Sequence, residues 1–256
     1  MTRRRFIADT WDRSAAEAEL TGAQAIHLAR VLRAEVGQVF DIVAGGFLHR
    51  AVIRSVQIVP GQERVLFELG EELETESTLP LHLLLAIFKF DHFEWAIEKA
   101  TELGVERITP ILARRTEKHL AQAAPKRVDR WRRIAHEASK QSRRSAVPLI
   151  SDPEASKTAI PAVTTPRILL SEIEQSLTLR DHLRTIDVAE ELALAIGPEG
   201  GWTPEELQLF STSGWTPVTL GPRILRAETA AIAAVAIVAA ELDRPAAKAR
   251  LADLPL

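Results

Sequence analysis

The sequence contains no cysteine among its 256 residues. That absence excludes disulfide bridges, thiolate catalysis and metal sites with cysteine ligands, and it is common in reducing compartments. Long apolar runs are missing too: the alanine- and valine-rich stretch 230–240 is far shorter than the ~20 residues of a membrane span. No apolar stretch follows the basic residues 3–5, so we expect no signal peptide, no membrane partner and a cytoplasmic protein.

Several signatures of enzyme chemistry are also missing. The seven histidines are scattered without the spacing of metal ligands, so we expect no metal site. The G-x-S-x-G elbow of serine hydrolases is absent. Neither G-x-G-x-x-G nor a phosphate-loop lysine occurs, which disfavours dinucleotide and triphosphate binding. The remaining composition, 46% hydrophobic and 26% charged, is that of an ordinary folded protein.

Positive charge is concentrated in one segment. The formal net charge is −3, yet residues 113–148 hold 11 Lys and Arg against 3 Asp and Glu, which gives +8 locally. A basic segment in acidic surroundings is typical of a surface that binds a polyanion. A solvated basic helix has the same pattern, and charge alone does not separate the two interpretations.

The hydrophobic pattern changes near residue 80. Residues 1–72 show short apolar segments at 39–43, 48–53 and 65–69, a hairpin signal at 44–47 and a helical pattern at 23–32, which together predict a small barrel-like or sandwich domain. The acidic stretch that follows predicts a linker at 73–80.

Residues 81–256 alternate between strand and helix patterns, which predicts an α/β domain with a mainly parallel sheet. Asp91 and Glu94 suggest a capping box, and Gly104 suggests the end of that helix. The predicted strands are 81–88, 108–112, 167–171, 192–196 and 217–220, and the predicted helices include 176–186, 203–213, 226–242 and a basic helix after Pro125.

A glycine-rich segment, 196–206, leaves one predicted strand and enters a helix. Thr203 and Glu206 predict a capping box at that helix. Loops at the carboxyl ends of parallel strands are where α/β proteins bind ligands, and Gly197, Gly200 and Gly201 let a ligand approach the backbone. A tight turn without a ligand is the alternative.

A second segment, 220–230, has the same strand-to-helix position. Arg223, Arg226, Glu228 and Thr229 lie where backbone N–H groups and the helix dipole attract an anionic group. The alanine-rich helix that follows is smooth enough to approach a copy of itself closely. On pattern alone, a core helix without a partner is the better interpretation.

Arginine binds phosphate through two parallel hydrogen bonds, so basic side chains are candidates for RNA contacts, although any single one is more often a surface charge. The candidates, with one amide among them, are Arg4, Arg5, Arg30, Arg33, Arg114, Arg115, Gln141 and Arg144.

Three long motifs, at 99–110, 196–201 and 220–230, together with 4–6 and 27–33, resemble the 16S ribosomal RNA uracil-N3 methyltransferase family of the SPOUT class. The resemblance runs in order over nearly the whole chain. It implies a PUA-like RNA-binding β-barrel at 1–72, a linker at 73–80 and, at 81–256, a SPOUT-type α/β trefoil-knot methyltransferase domain. It further implies S-adenosylmethionine as cofactor, a homodimer, and 16S ribosomal RNA or the small ribosomal subunit as partner.

The resemblance also implies roles for residues. Arg226, Glu199 and Glu228 would be catalytic, and which carboxylate takes a proton stays open. The implied cofactor-binding residues are Leu170, Ile196, Gly197, Pro198, Glu199, Gly200, Gly201, Leu220, Gly221, Ile224, Leu225, Arg226, Thr229 and Ala230.

Two alternatives stay open at this point: a SPOUT enzyme that methylates another position, such as a ribose 2′-hydroxyl, and a catalytically silent RNA-binding protein. The sequence departs from the family at 89–94, which reads Lys-Phe-Asp-His-Phe-Glu for Lys-Gly-Asp-Lys-Met-Glu, and at Lys140, where an acidic residue is common. Neither departure lies in the two loops.

Overall fold

A computed structural model describes residues 5–73, 79–142, 144, 146–186 and 191–242. The chain folds into two compact units, one of residues 1–77 and 139–147 and the other of residues 78–138 and 148–256. The first unit thus includes the short segment 139–147, which the sequence pattern placed in the second domain.

The first unit contains a curled, mostly antiparallel sheet. Its described part has six strands in the order β1-β4-β5-β6-β3-β2. The strands are β1 (Arg5–Ile7), β2 (Thr10–Asp12), β3 (Glu17–Thr21), β4 (Val39–Ala44), β5 (Phe47–Gln57) and β6 (Arg64–Leu73). Only two residues separate β1 from β2, yet these strands end the order on opposite sides. The sheet therefore has to curl until its edges approach each other.

The predicted helix at 23–32 consists of α1 (Gly22–Ile26) followed by one π-helical stretch (His27–Val31). Leu28 on that stretch packs with Ile42, Ile53 and Phe67 in the buried core of this unit. The predicted hairpin is confirmed, because Ala44 pairs with Phe47. The helical pattern predicted a buried face with Ile26, Ala29 and Val31, but this face is wrong: Ala25 and Leu28 are the buried residues and Val31 is 65% exposed.

Residues at both ends of the predicted linker, 73–80, belong to strands. β6 continues through the acidic residues to Leu73 because their side chains are exposed, so pairing with β5 buries no charge. Glu71, for example, lies 3.2 Å from Arg50 on β5. The next strand already begins at Leu79. Residues 74–78 of the predicted linker lie outside the described residues.

The second unit contains a parallel sheet with helices on both faces. Its described part has seven strands, of which six follow the order β10-β8-β7-β12-β11-β13, while β9 pairs with β8. These strands are β7 (Leu79–Ala86), β8 (Val105–Leu112), β9 (Leu149–Ile150), β10 (Glu154–Ala155), β11 (Arg167–Leu170), β12 (Leu192–Ile196) and β13 (Thr216–Val218). The helices are α2 (Phe90–Glu102), α3 (Lys118–Ala123), a 3₁₀ turn (Ala124–Arg127), α4 (Val128–Gln141), α5 (Ser156–Ala162), α6 (Leu179–Leu183), α7 (Pro204–Thr212) and α8 (Ala227–Leu242).

The core of this unit has two layers, one on each face of the sheet. Leu81, Leu83 and Leu85 of β7 pack with residues of α2, α4 and α8. Leu84 and Ala86 of the same strand pack with residues of α5 and α7. Because successive side chains of a strand point to opposite faces, a strand covered on both sides must be apolar throughout. This is the pattern that predicted β7.

The capping box predicted at Asp91 and Glu94 is wrong. The N-cap of helix α2 is Lys89, two residues before Asp91, and it makes no side-chain capping hydrogen bond. The Glu94 carboxylate instead accepts hydrogen bonds from Arg130 Nε at 2.8 Å and Arg127 at 3.3 Å, because it faces helix α4. The capping box predicted at Thr203 and Glu206 is confirmed.

Gly104 ends α2 as predicted, with a φ of +100° and its N–H donating to the carbonyl of Thr101. Of the helices in the described ranges, none is both long and apolar enough to cross a membrane.

Candidate functional site

The two loops singled out by sequence come to one edge of the parallel sheet. Strands β12, β11 and β13 are neighbours in the sheet and run parallel. The loops 197–203, 171–178 and 219–226 follow these strands, so all three lie at the carboxyl edge, where open α/β sheets bind ligands. Two strand spacings separate β12 from β13, which is about 10 Å. The segment after β11 lies between the two predicted loops.

The loop after β12 is a tight turn held by hydrogen bonds. The Gly201 N–H donates to the Pro198 carbonyl at 2.8 Å, and Gly201 has a φ of +69°. Arg115 donates from its guanidinium to the Gly200 carbonyl at 2.5 Å, and the Arg114 N–H donates to Glu206 at 2.9 Å. The residues that follow β8 therefore fix this loop, and Glu199 and Gly200 remain exposed at its tip.

Side chains pack closely against the glycines of this loop. A Cβ atom on Gly197 would lie 3.0 Å from Trp202 Nε1, and one on Gly201 would lie 3.0 Å from a carboxylate oxygen of Glu172. Glu172 belongs to the segment after β11, so these two loops meet. A larger residue at either glycine would have to displace these neighbours.

The loops after β11 and β13 are joined by backbone hydrogen bonds. The Thr219 N–H donates to Leu177 and the Leu179 N–H donates to Thr219, each at 2.9 Å. Within the segment, Glu174 accepts hydrogen bonds from the N–H groups of Leu177 and Ser176, and these bonds lower the pKa of its carboxyl. The segment between the predicted loops is thus an ordered part of the edge.

The loop after β13 presents a row of exposed side chains. Gly221 has a φ of +113° with open space around it, and its N–H donates to the Thr219 hydroxyl at 3.1 Å. Residues 222–226 are exposed, Ile224 by 90%. Isolated apolar side chains are common on surfaces, but Leu225 and Ile173 are exposed at the same edge. This edge therefore offers an apolar surface to a ligand or partner.

A buried carboxylate lies at the start of α8. Glu228, in the first turn of the helix, is only 4% exposed. Its Oε1 is 3.2 Å from His92 Nδ1 in the first turn of α2. Its Oε2 is buried and has no hydrogen-bond partner within the described residues. Since an unpaired buried polar atom costs about 1–3 kcal/mol, such an atom in a folded protein calls for an explanation.

The structure brings the remaining loop candidates to the same edge. Leu170 and Ile196 are the last residues of β11 and β12, and Leu220 follows β13 closely. The Ala230 N–H donates to the Arg226 carbonyl at 2.8 Å in the first turn of α8, where Thr229 is exposed.

The candidate RNA contacts are divided between the units. Arg114 and Arg115 belong to the second unit, and the others to the first. Arg30 is exposed on the π-helical stretch, and Arg33 is exposed just after it with a φ of +51°, which is uncommon for a residue with a side chain. Arg5 lies on β1, Gln141 ends α4 and Arg144 follows it; Arg4 lies outside the described residues.

The basic segment carries less unpaired charge than its composition suggested. Arg127 and Arg130 both pair with Glu94, and Arg127 also lies 4.7 Å from the ring centre of Phe90. Arg132 pairs with Asp152 at 2.9 Å. Part of the +8 therefore stabilises the packing of α4 rather than facing a polyanion.

The catalytic and binding residues assigned from the sequence do not include His92 or Glu172. Each meets its partner only through the fold, because His92 and Glu228 are on different helices, and Glu172 and Gly201 follow different strands. No spacing within the sequence signals either pair. Across the described ranges, no group of three or more His, Asp or Glu side chains is placed to hold a metal ion.

Residues 75–239 match a family model described as an RNA methyltransferase domain. The chain is 35% identical over 228 residues to ribosomal RNA small subunit methyltransferase E of Synechocystis sp., covering 88% of this chain and 73% of that protein. The protein of the same name in Bacillus subtilis is 28% identical over 234 residues, which cover 88% of this chain and 90% of that protein.

Two solved structures are similar over most of their length. Ribosomal RNA small subunit methyltransferase E from Neisseria gonorrhoeae, bound to S-adenosylmethionine, gives a TM-score of 0.76 at 28% identity and covers 92% of this chain and 96% of that one. A methyltransferase from Legionella pneumophila, solved with bound S-adenosylmethionine, gives a TM-score of 0.76 at 29% identity. The match covers 94% of this chain and 98% of that one.

Proposed function

Because the chain belongs to the RNA methyltransferase family, we propose that it transfers a methyl group from S-adenosylmethionine to N3 of a uridine in 16S ribosomal RNA. The observation that carries the proposal is the likeness of the whole chain, over 92% of its length, to a ribosomal RNA small subunit methyltransferase E bound to that cofactor. The resemblance of residues 220–230 to the uracil-N3 family supports the choice of N3.

The residues at the carboxyl edge fit the proposed cofactor. The open space at Gly221 and the exposed loop that follows leave room for a ligand beside the turn 197–201. Backbone groups of 197–201 and 220–221 and the side chains of Ile224 and Leu225 would hold the cofactor, with Leu170, Ile196, Thr229 and Ala230 around them. The bound cofactor supplies a methyl group activated by a sulfonium.

The chain's own residues must then orient the uridine and remove the proton from its N3 atom. N3 carries a proton at neutral pH and is a poor nucleophile until that proton leaves, so positioning and proton removal are the two tasks. Arg226, which is exposed at the start of α8, would stabilise negative charge that develops on the uracil oxygens. Glu199 and Glu228 are the carboxylates available to take the proton.

The domain organisation and the assembly that we propose are those of the family. We propose that the curled sheet of residues 1–72 is a PUA-like RNA-binding barrel and that the second unit is a SPOUT domain with a trefoil knot. The exposed Ile173, Ile224 and Leu225 support a homodimer with the cofactor edge at its interface. An enzyme of the small ribosomal subunit's RNA would act in the cytoplasm.

Mass spectrometry of ribosomal RNA tests the function. Cells that lack this protein should lose one methylated uridine from 16S ribosomal RNA, and the purified protein should restore it with S-adenosylmethionine. Recovery of 3-methyluridine on nucleoside analysis supports N3. A lost 2′-O-methyl group would indicate a different position, and an unchanged methylation pattern would refute the proposal.

The loop after β13 should be sensitive to strain at Gly221. A side chain at a φ of +113° costs about 1–2 kcal/mol, which the loop relieves by leaving the conformation proposed to bind the cofactor, and the added Cβ would enter the open space proposed for it, so we expect Gly221→Ala to weaken S-adenosylmethionine binding about tenfold in calorimetric titration. Gly214→Ala is the matched control, because Gly214 also has a positive φ, +75°, but follows α7 outside the loops. Equal affinities for wild type and Gly221→Ala would contradict the placement of the cofactor.

RNA affinity should fall steeply as salt increases. Each phosphate that the basic side chains neutralise contributes about −0.7 to the slope of log K against log salt on single-stranded RNA. We expect Arg30→Ala, which removes an exposed cation, to reduce the slope by about that amount and to weaken binding of unrelated RNA equally. Asp12→Ala, which removes an exposed anion on β2, should leave the slope unchanged or steeper. A salt-independent affinity would remove this role from the basic residues.

A further inference from the structure

We propose that Glu228 is the base that takes the N3 proton and that His92 is the residue that positions it. The inference rests on the proposed function and deepens it, since Glu199 and Glu228 were equal candidates in the sequence. The structure separates these two carboxylates by their surroundings.

The first argument is the place of the pair in the fold. Three residues separate the end of β7 from the start of helix α2, and α8 follows the loop after β13. Strands β7, β12, β11 and β13 are parallel and consecutive in the sheet, so both helices start at the carboxyl edge. The contact of 3.2 Å between His92 and Glu228 joins these two helix starts. The pair therefore lies at the edge that carries both glycine loops.

The second argument is the hydrogen bonding of Glu228. Nδ1 of His92 lies 3.2 Å from Oε1 in an ion-pair contact, and because a carboxylate only accepts hydrogen bonds, any hydrogen in this contact must be carried by Nδ1. The contact restrains one carboxylate oxygen and leaves Oε2 buried with no partner within the described residues. Substrate binding must uncover this oxygen, and the N3–H group of uracil is then a donor that satisfies it.

The third argument is the contrast with Glu199. Its side chain is exposed at the tip of the turn, where water solvates it. A solvated and unrestrained carboxylate must lose water and side-chain freedom before it takes a proton from a substrate. Glu228 already lost its bound water and its side-chain freedom when the protein folded. Around His92, the charged groups within reach are Glu228, Asp91 at 3.9 Å from Nε2, and Lys89, which pairs with Asp91 at 3.6 Å.

The step balances with the groups named. Oε2 of Glu228 takes the N3 proton, and the electron pair of that N–H bond stays on N3. N3 uses the pair to form a bond to the methyl carbon while the carbon–sulfur bond breaks and its electrons remain on sulfur. A neutral thioether and neutral 3-methyluridine result, and Glu228 returns its proton to water after product release.

The test compares two RNA substrates. In 5-fluorouridine the N3 proton is more acidic because fluorine withdraws electrons, so this substrate depends less on a base. Under single turnover with saturating S-adenosylmethionine, we expect Glu228→Gln to slow methylation of uridine RNA about 100-fold and of 5-fluorouridine RNA less than tenfold. Glu228→Asp, which retains a carboxylate, should recover part of the rate on uridine RNA.

Glu241→Gln is the matched control. Glu241 is a second buried carboxylate on α8, paired with Arg180 and Arg184, and it lies 13 residues away, about 20 Å along the helix. Its substitution should leave the ratio of the two rates at the wild-type value. Calorimetry should give all three variants a cofactor affinity within threefold of wild type.

The ratio of the methylation rates on uridine RNA and 5-fluorouridine RNA also tests the role of His92. His92→Leu removes the donor to Oε1 and should slow uridine RNA about tenfold with a smaller loss on 5-fluorouridine RNA, while His92→Asn, which retains a donor, should recover most of the rate.

If Glu228→Gln slowed the methylation of both RNAs equally, Glu228 would not be the base. The assignment would also be overturned if weaker cofactor binding accounted for the slower methylation. A wild-type protein that methylates neither RNA would instead refute the proposed function.

Discussion

Replacing Arg226 by alanine is expected to lower the methylation rate by about 10²–10³-fold while changing the affinity for S-adenosylmethionine by less than about threefold. The guanidinium is exposed at the start of α8, and the backbone carbonyl of Arg226 already serves the helix by accepting from Ala230. The substitution therefore removes a charge without removing a structural contact of the backbone. Single-turnover methylation and calorimetric titration measure the two quantities separately.

Two further variants make this expectation specific. Arg226→Lys retains a positive charge but not the planar fork of donors, so its rate should lie between those of wild type and the alanine variant. Arg223→Ala removes an equally exposed arginine from the same loop and should cost much less. Unchanged turnover in Arg226→Ala would refute the role assigned to this residue, and an equal loss of cofactor affinity would make it a binding residue instead.

The parts of the fold that could be predicted are those set by local sequence. The apolar run of β7 follows from burial on both faces, and the capping box at Thr203 and Glu206 follows from a spacing of three residues. The alternation of strands and helices in the second unit has the same origin. The glycine loops were found for this reason too, because a turn between a buried strand and a helix has a local signature.

The parts that could not be predicted depend on pairing across the fold. Asp91 and Glu94 have the spacing of a capping box, yet Glu94 faces two arginines of the next helices, and that ion pairing decides its role. The short strand β1 pairs in parallel with β4, which no local pattern indicates. Helix α5 contains Pro161, a residue that argues against a helix interior.

In the basic segment, too, pairing across the fold decides what the sequence alone could not predict. Composition gives the number of cations, but only the fold shows that Arg127, Arg130 and Arg132 are paired with acidic groups. The contact between the partly exposed His92 and the buried Glu228 likewise joins residues that lie far apart in the sequence. Sequence analysis identified the loops that could bind a ligand, and tertiary contacts separate the two carboxylates within them.

His82 is expected to make the free energy of unfolding fall as the pH is lowered. It lies in the middle of β7, 8% exposed, with Nε2 2.8 Å from the Thr109 hydroxyl. Burial, with a smaller contribution from the positive charge of Arg107, lowers the pKa of this imidazole to about 3 from an ordinary value of 6.5. The folded protein therefore keeps His82 neutral over a pH range in which the unfolded chain takes up a proton.

The direction and size of the effect follow from that difference in proton binding. Above pH 6.5 both states are neutral at this residue and the free energy of unfolding is unaffected. Between pH 6.5 and about 3 only the unfolded state binds the proton, so stability is lost as the pH falls. At about 1.4 kcal/mol for each pKa unit, the loss between pH 7 and pH 4 amounts to about 3 kcal/mol.

Urea unfolding of wild type and His82→Gln at a series of pH values measures this contribution. The variant loses packing at pH 7, but its stability should decline less than that of wild type between pH 6.5 and 4, because glutamine does not titrate. His119→Gln is the control, since His119 is exposed on α3 and its substitution should keep the wild-type decline. Parallel curves for wild type and His82→Gln would show that His82 is protonated in the folded protein, which would require the sheet around Thr109 and Arg107 to admit a second positive charge.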